Sequence, residues 1–126
     1  MKTFDPRHAL TITPCKGKVS VLCEGIVVAR SEHALWLEEG TLAPVIYIPR
    51  SDIWIEHYVR SEHRSHCPYK GDASYFSLDI NAKRSPNAVW SYENPYRAAA
   101  RIKGHVAFNP ARVTFVTDMP QPEAHR

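Results

Sequence analysis

The chain has 126 residues, of which 44% are hydrophobic and 23% are charged, and its formal net charge is +3. This size and composition match a single globular domain with one core. So small a net charge does not require a polyanionic partner, and nucleic acid is not an expected ligand. Residues 1–8 lack the apolar run of a signal peptide, and nowhere do 18 uncharged apolar residues follow one another. We therefore expect a cytoplasmic protein without a membrane partner.

Short strands are predicted along most of the chain, because ten prolines divide it into brief segments. The segments with alternating or β-branched residues are 18–23, 26–29, 34–37, 45–48, 53–59, 73–80, 88–92, 105–108 and 113–116. The polar stretches 60–65 and 82–87 predict a surface loop and a turn.

One short helix is predicted near residues 97–101, where Asn94 can cap it, Pro95 suits its first position and Gly104 can end it. The pattern predicts a mainly β fold, with about eight short antiparallel strands in a barrel-like or two-sheet arrangement. We expect an N-terminal extension at 1–17, one β domain at 18–117 and a disordered tail at 118–126.

Residues 65–75 carry an unusual density of reactive side chains. Cys67 follows His66 directly and lies three residues before Lys70, and positive charge nearby favours a thiolate. Pro68 holds Cys67 extended and Gly71 permits a positive φ, which predicts a fixed turn. A cysteine at the end of a strand is more often a small core residue, so the sequence leaves both roles open.

Four motifs occur in order: 44–50 (Pro-Val-Ile-Tyr-Ile-Pro-Arg), 66–73 (His-Cys-Pro-Tyr-Lys-Gly-Asp-Ala), 88–92 (Ala-Val-Trp-Ser-Tyr) and 104–110 (Gly-His-Val-Ala-Phe-Asn-Pro). With them the chain resembles the family catalogued as domain of unknown function 427, which has sometimes carried a nucleotidyltransferase-like label. The resemblance implies a compact β structure similar to the β-tent folds of methionine sulfoxide reductase B and Mss4-like proteins. This chain lacks their zinc cysteine pairs, which implies a metal-free variant.

A ligand pocket is the favoured functional hypothesis. Polar side chains on a rigid turn beside an aromatic strand are typical of sites with apolar walls and a few fixed polar groups. The predicted ligand-binding residues are Arg50, Tyr69, Lys70, Trp90 and Tyr92. They suit a small anionic or aromatic ligand, although Arg50 has the alternative of a salt bridge with Asp52 or Glu56, and Lys70 has that of a pair with Asp72.

Two other functions remain open at this level. Cys67 is the candidate catalytic nucleophile of a cysteine-dependent enzyme. On the short helix, Arg97, Arg101 and Lys103 with Tyr96 could form an interaction module for nucleic acid or protein. Three widely spaced cysteines predict reduced thiols, and we expect neither a metal ion nor a cofactor. The chain also lacks Asp-x-Asp and Asp-x-Glu, the carboxylate pairs that nucleotidyl transfer normally uses to hold metal. A homodimer is left open.

Overall fold

The computed structural model describes residues 9–118, which form ten strands in two antiparallel sheets together with three short 3-10 turns. The strands are β1 (Leu10–Pro14), β2 (Val19–Cys23), β3 (Ile26–Ser31), β4 (Leu35–Glu39), β5 (Val45–Pro49), β6 (Tyr58–Cys67), β7 (Gly71–Ile80), β8 (Lys83–Ser91), β9 (His105–Phe108) and β10 (Thr114–Thr117). The prediction of a mainly β fold is confirmed.

The larger sheet has seven strands in the order β1-β4-β5-β9-β8-β7-β6, and the smaller sheet has three in the order β10-β2-β3. Among the described strands the larger sheet keeps two edges, β1 and β6, and therefore does not close into a barrel. The smaller sheet covers one face of it, and the two sheets enclose a first core. Its fully buried side chains include Val21, Val28, Ile48, Leu78 and Val106.

The opposite face of the larger sheet carries a second core, to which the smaller sheet contributes no described residue. Its members include Leu37, Tyr47, Cys67, Tyr92 and Ile102, the last from the 3-10 segment Arg97–Ile102. Neighbouring residues of a strand project to opposite faces. On β7, Phe76 accordingly packs in the first core while Tyr75 packs against the second.

Several predicted elements are wrong. Residues 60–65 are not a loop, because β6 continues through them as a polar, largely exposed edge strand. Residues 83–87 belong to β8 rather than to a turn. Residues 53–57 contain a 3-10 turn, Ile55–His57, instead of the start of a strand. The predicted helix is the 3-10 segment Arg97–Ile102, interrupted at Ala99, whose φ of −115° is not helical.

Strand β1 lies inside the predicted N-terminal extension and pairs with β4, Ile12 being opposite Leu37. At the other end Asp118 accepts a hydrogen bond from the Lys18 amide at 2.7 Å, while the rest of the predicted tail lies outside the described residues. The predicted domain boundaries stay predictions. None of the helical segments between residues 9 and 118 is long and apolar enough to cross a membrane.

Candidate functional site

A cleft of about 390 Å³ opens on the face of the larger sheet that carries the second core. Strands β4, β5, β7 and β8 contribute most of its lining, and the turn before β7 contributes Lys70. Four aromatic side chains, a buried ion pair and two amides make up its polar and aromatic surface. Leu37, Leu42 and Val45 add an aliphatic side.

The aromatic side chains of the cleft are Tyr47, Tyr75, Trp90 and Tyr92. The Trp90 Nε1–H donates to the Tyr47 hydroxyl at 3.3 Å, and the rings of Trp90 and Tyr75 are tilted by 43° with centroids 6.5 Å apart. Burial raises the pKa of the Tyr47 and Tyr92 hydroxyls above the ordinary value for tyrosine. Both phenols therefore keep their protons at neutral pH, so each hydroxyl has a hydrogen available to donate.

Lys70 forms an ion pair with Glu39 in the cleft, and the two side chains are only 8% and 6% exposed. The turn between β6 and β7 positions the lysine: its amide donates to the Cys67 carbonyl, and its own carbonyl accepts from the Tyr96 amide at 3.0 Å. Gly71 follows at a φ of +111°, which glycine adopts without strain. The ammonium also lies 5.7 Å from the centre of the Tyr92 ring.

Two asparagines in the cleft lining have fixed orientations. The Asn87 Oδ1 accepts from the Ser61 hydroxyl, and the Asn109 Oδ1 accepts from the Ala111 amide at 2.9 Å. Because an amide carries its acceptor and its two donors at opposite corners, these bonds leave the N–H₂ groups as the remaining polar ends. The cleft is therefore rich in donors.

The structure brings together three of the six predicted site residues, namely Lys70, Trp90 and Tyr92. Cys67 is 6% exposed and packs in the second core, and Tyr69 packs against the same cluster, so neither lines the cleft. The groups expected to activate Cys67 are bound to carboxylates: Lys70 pairs with Glu39 and not with Asp72, and His66 Nδ1 lies 2.7 Å from Asp72 Oδ1.

Arg50 lies away from the cleft, in a network on the other face of the sheet. The sequence suggested a salt bridge with Asp52 or Glu56, but the partner of Arg50 in the structure is Glu93, at 2.9 Å. Arg60 and the Ser74 hydroxyl also donate to Glu93, and with Arg60 as the largest influence these bonds lower the pKa of that carboxyl to about 2. Glu93 is therefore ionised throughout the neutral range.

Sequence reasoning missed five polar or aromatic residues of the cleft: Glu39, Tyr47, Tyr75, Asn87 and Asn109. Tyr47 and Asn109 stand inside motifs that carried the family resemblance, and Tyr75 stands in the predicted strand segment 73–80. Glu39 gave no such signal, because it lies 31 positions from its partner Lys70. Between residues 9 and 118 no three His, Cys, Asp or Glu side chains are grouped to hold a metal ion.

Fold and cleft together define a small two-sheet β domain with an open, aromatic, donor-rich cavity on one sheet face. The family model described as domain of unknown function (DUF427) matches residues 11–119, and the chain belongs to that family. Comparison with curated proteins finds no match.

Proposed function

We propose that this domain binds a small, flat aromatic ligand that carries hydrogen-bond acceptors on its edge. The observation that carries the proposal is the composition of the cleft, in which four aromatic side chains surround fixed donor groups. Its volume of about 390 Å³ falls within the range of about 300–1,000 Å³ typical of small-molecule sites. Aromatic rings favour offset or edge-on contact with another flat ring.

The charge of the cleft favours a neutral ligand over an anion. The cleft lining contains one cationic side chain, Lys70, and one carboxylate, Glu39. The two form an ion pair, so their charges cancel within the cavity. An anion that entered would compete with Glu39 for the ammonium and would deprive a buried carboxylate of its cation, which is costly. Of the two ligand classes that the sequence suggested, the aromatic one has the better support.

Specificity follows from the direction of the polar groups. The amides of Asn87 and Asn109 present N–H₂ ends, and the Tyr47 hydroxyl already accepts a bond from Trp90, which leaves its hydrogen to donate. A ligand with ring nitrogens or carbonyl oxygens satisfies these donors. A hydrocarbon of the same size leaves them unpaired and is rejected.

Trp90 provides the readout for a binding test. In a Trp36→Phe/Trp54→Phe background the only tryptophan left is Trp90, and the variant is titrated with a panel of neutral heteroaromatic compounds such as purines, pyrimidines and nicotinamide. We expect at least one compound to quench this fluorescence and, with wild-type protein, to raise the melting temperature, since a ligand of the folded state stabilises it.

The matched pair Trp90→Leu and Trp54→Leu, made in the wild-type protein, locates the site. Trp90 lines the cleft, whereas Trp54 is 39% exposed outside its lining. The thermal shift should disappear in Trp90→Leu and persist in Trp54→Leu. The proposal is wrong if no compound of the panel binds, if both variants keep the shift, or if a charged carboxylate binds better than every neutral compound.

Neither alternative function has a comparable observation in its favour. Cys67 is buried in the second core and stands beside groups that are already paired. On the 3-10 segment, Arg101 donates to the Ile12 carbonyl of β1 at 2.8 Å, which gives this arginine a structural role.

A further inference from the structure

A smaller groove of about 180 Å³ lies on the opposite face of β7 from the cleft. Tyr75 lines the cleft and Phe76, the next residue, lines the groove, so the two cavities stand back to back across this strand. Most of the apolar wall is formed by Ile53 and Ile55, from the segment that connects β5 to β6, and by Tyr58 at the start of β6. The groove is separate from the site proposed above.

Two arginines flank the groove. The guanidinium carbons of Arg50 and Arg60 lie 5.1 and 4.8 Å from the centre of the Phe76 ring, and both side chains donate to Glu93. Arg64 joins the same network through Ser74, whose hydroxyl donates to Glu93 at 2.8 Å. Two guanidiniums thus bind one carboxylate directly and a third is joined to it through a serine hydroxyl, which leaves a surplus of positive charge.

This surplus charge is accessible. The side chains of Arg50 and Arg60 are 37% and 48% exposed, and each guanidinium has five N–H groups, more than the bonds to Glu93 use. Their stacking on Phe76 and their bonds to Glu93 hold them in place, so a second carboxylate meets donors that are already oriented.

One apolar side chain of the groove is exposed as well. Ile55 is 66% exposed and the adjacent Trp54 is 39% exposed. Arginine and tryptophan are enriched among the residues that contribute most to protein interfaces. A volume of about 180 Å³ is smaller than the roughly 300 Å³ at which small-molecule pockets begin, and it suits one inserted side chain better than a whole ligand.

We propose that this groove docks a protein partner through a short segment with one apolar side chain flanked by Asp or Glu. The apolar side chain fills the space between Ile53, Ile55 and Phe76, and the carboxylates pair with Arg50 and Arg60. Charge complementarity selects the partner, because a neutral apolar segment leaves the surplus positive charge uncompensated and a basic one is repelled.

The proposal is tested with a random twelve-residue peptide library displayed on phage and selected on the full-length protein. We expect recovered peptides to place Asp or Glu within two positions of a single Leu, Ile, Met or Phe. A synthetic peptide of the recovered sequence should bind at least threefold more weakly in 300 mM than in 50 mM NaCl, since screening weakens exposed charge pairs.

Two matched pairs of variants show whether the peptide binds in the groove. Ile55→Ser and Arg60→Gln should each raise its Kd at least tenfold, while Val116→Ser and Arg97→Gln, changes at exposed positions outside the groove, should alter it less than twofold. Melting temperatures confirm that all four variants are folded. Arg50→Gln repeats the test at the second arginine, so that a folding defect in one variant does not decide the outcome.

Several outcomes overturn the proposal. Recovery of no peptide, or of peptides without acidic enrichment, removes the partner chemistry, and equal binding to the groove and control variants removes the location. Binding of octanoate or of phosphatidylserine vesicles in a manner abolished by Arg60→Gln, with no peptide recovered, assigns the groove to a small amphiphilic anion or a lipid surface instead. Failure of the aromatic-ligand test at the cleft does not affect this result.

Discussion

Lys70 and Glu39 form an ion pair across two segments of the chain, with side chains that are almost completely buried. Removing two charges from water costs several kcal/mol per ion, and mutual attraction only partly offsets that cost. Apolar residues of similar size often give equal or greater stability at such a position. Stability therefore does not by itself explain a buried pair at the edge of a cavity, and a role in the proposed binding site is a better explanation.

Replacing one member of this pair should be more damaging than replacing both. Lys70→Met leaves the Glu39 carboxylate buried without its cation, and we expect a loss of about 3–5 kcal/mol in the free energy of unfolding. The double variant Glu39→Leu/Lys70→Met should recover much of that loss. Urea denaturation measures both, with exposed Lys103→Met as the control. If Lys70→Met were as stable as Lys103→Met, that result would contradict the ion pair between Lys70 and Glu39.

The Glu93 network should make stability depend on pH in the acid range. The pKa of this carboxyl is lowered from 4.5 to about 2 in the folded protein, so its contribution is complete above pH 4.5 and is lost as pH falls towards 2. The side chain is 35% exposed, and with solvent screening we expect about 1 kcal/mol rather than the full value of the shift.

Chemical denaturation of wild type and Glu93→Gln between pH 6 and pH 2 tests this dependence. The difference in unfolding free energy should be largest above pH 5 and should shrink as Glu93 becomes protonated in the wild type. Glu62→Gln, at an exposed position on β6, serves as the control. A difference that stays constant over the range counts against the network.

Tyr58 connects the two sheets through one hydrogen bond, since its hydroxyl donates to the Val28 carbonyl of β3 at 2.8 Å. We expect Tyr58→Phe to lower the free energy of unfolding by about 1 kcal/mol. The cost stays modest because the same carbonyl also accepts from the Trp54 amide at 3.0 Å and is not left without a donor. Thermal unfolding compares it with Tyr96→Phe, at a side chain that is 47% exposed. Equal stability of the two variants would show that the bond contributes nothing.

Cys67 should resist alkylation in the folded protein. Its thiol is buried in the second core, so iodoacetamide reaches it only after local or global opening. We expect labelling of the peptide that contains Cys67 to be at least 100-fold slower in buffer than in 6 M urea, as followed by mass spectrometry. Comparable rates in both solvents would restore Cys67 as a candidate nucleophile.

The sequence predicted the paired strands of the interior well. The segment 105–108 has the predicted bounds, and 45–48 differs from β5 by one residue, because alternating or β-branched residues there face a buried side. Most of strand β6, from residue 60 onward, was missed for the converse reason. It is an edge strand with polar residues on both faces. The backbone of β6 pairs with β7, and a search for alternating hydrophobic residues does not detect such pairing.

The candidate site was predicted only in part, because its members come together through pairings distant in sequence. The aromatic positions Trp90 and Tyr92 followed from spacing of two on a strand, and Lys70 followed from the turn. Arg50 was placed with them although it stands at the end of β5 on the opposite face. Arg50 begins a 3-10 turn directly after β5, so the alternation of that strand does not extend to it, and nothing in the local sequence around Pro49 indicated which side Arg50 takes.

Both neighbours of β7 depart from regular pairing beside the cleft. On β8, Val89 pairs with Phe76 and Ser85 pairs with Leu78, so three residues of β8 stand opposite Ser77 alone, and Asn87 among them has a φ of +53°. The excess is an even number, which preserves the side to which every later residue points. A deletion of two residues from 86–88 would restore one-to-one pairing and shorten the strand beside Asn87, whereas a deletion of one would leave a single-residue bulge of the kind that β3 forms opposite β2.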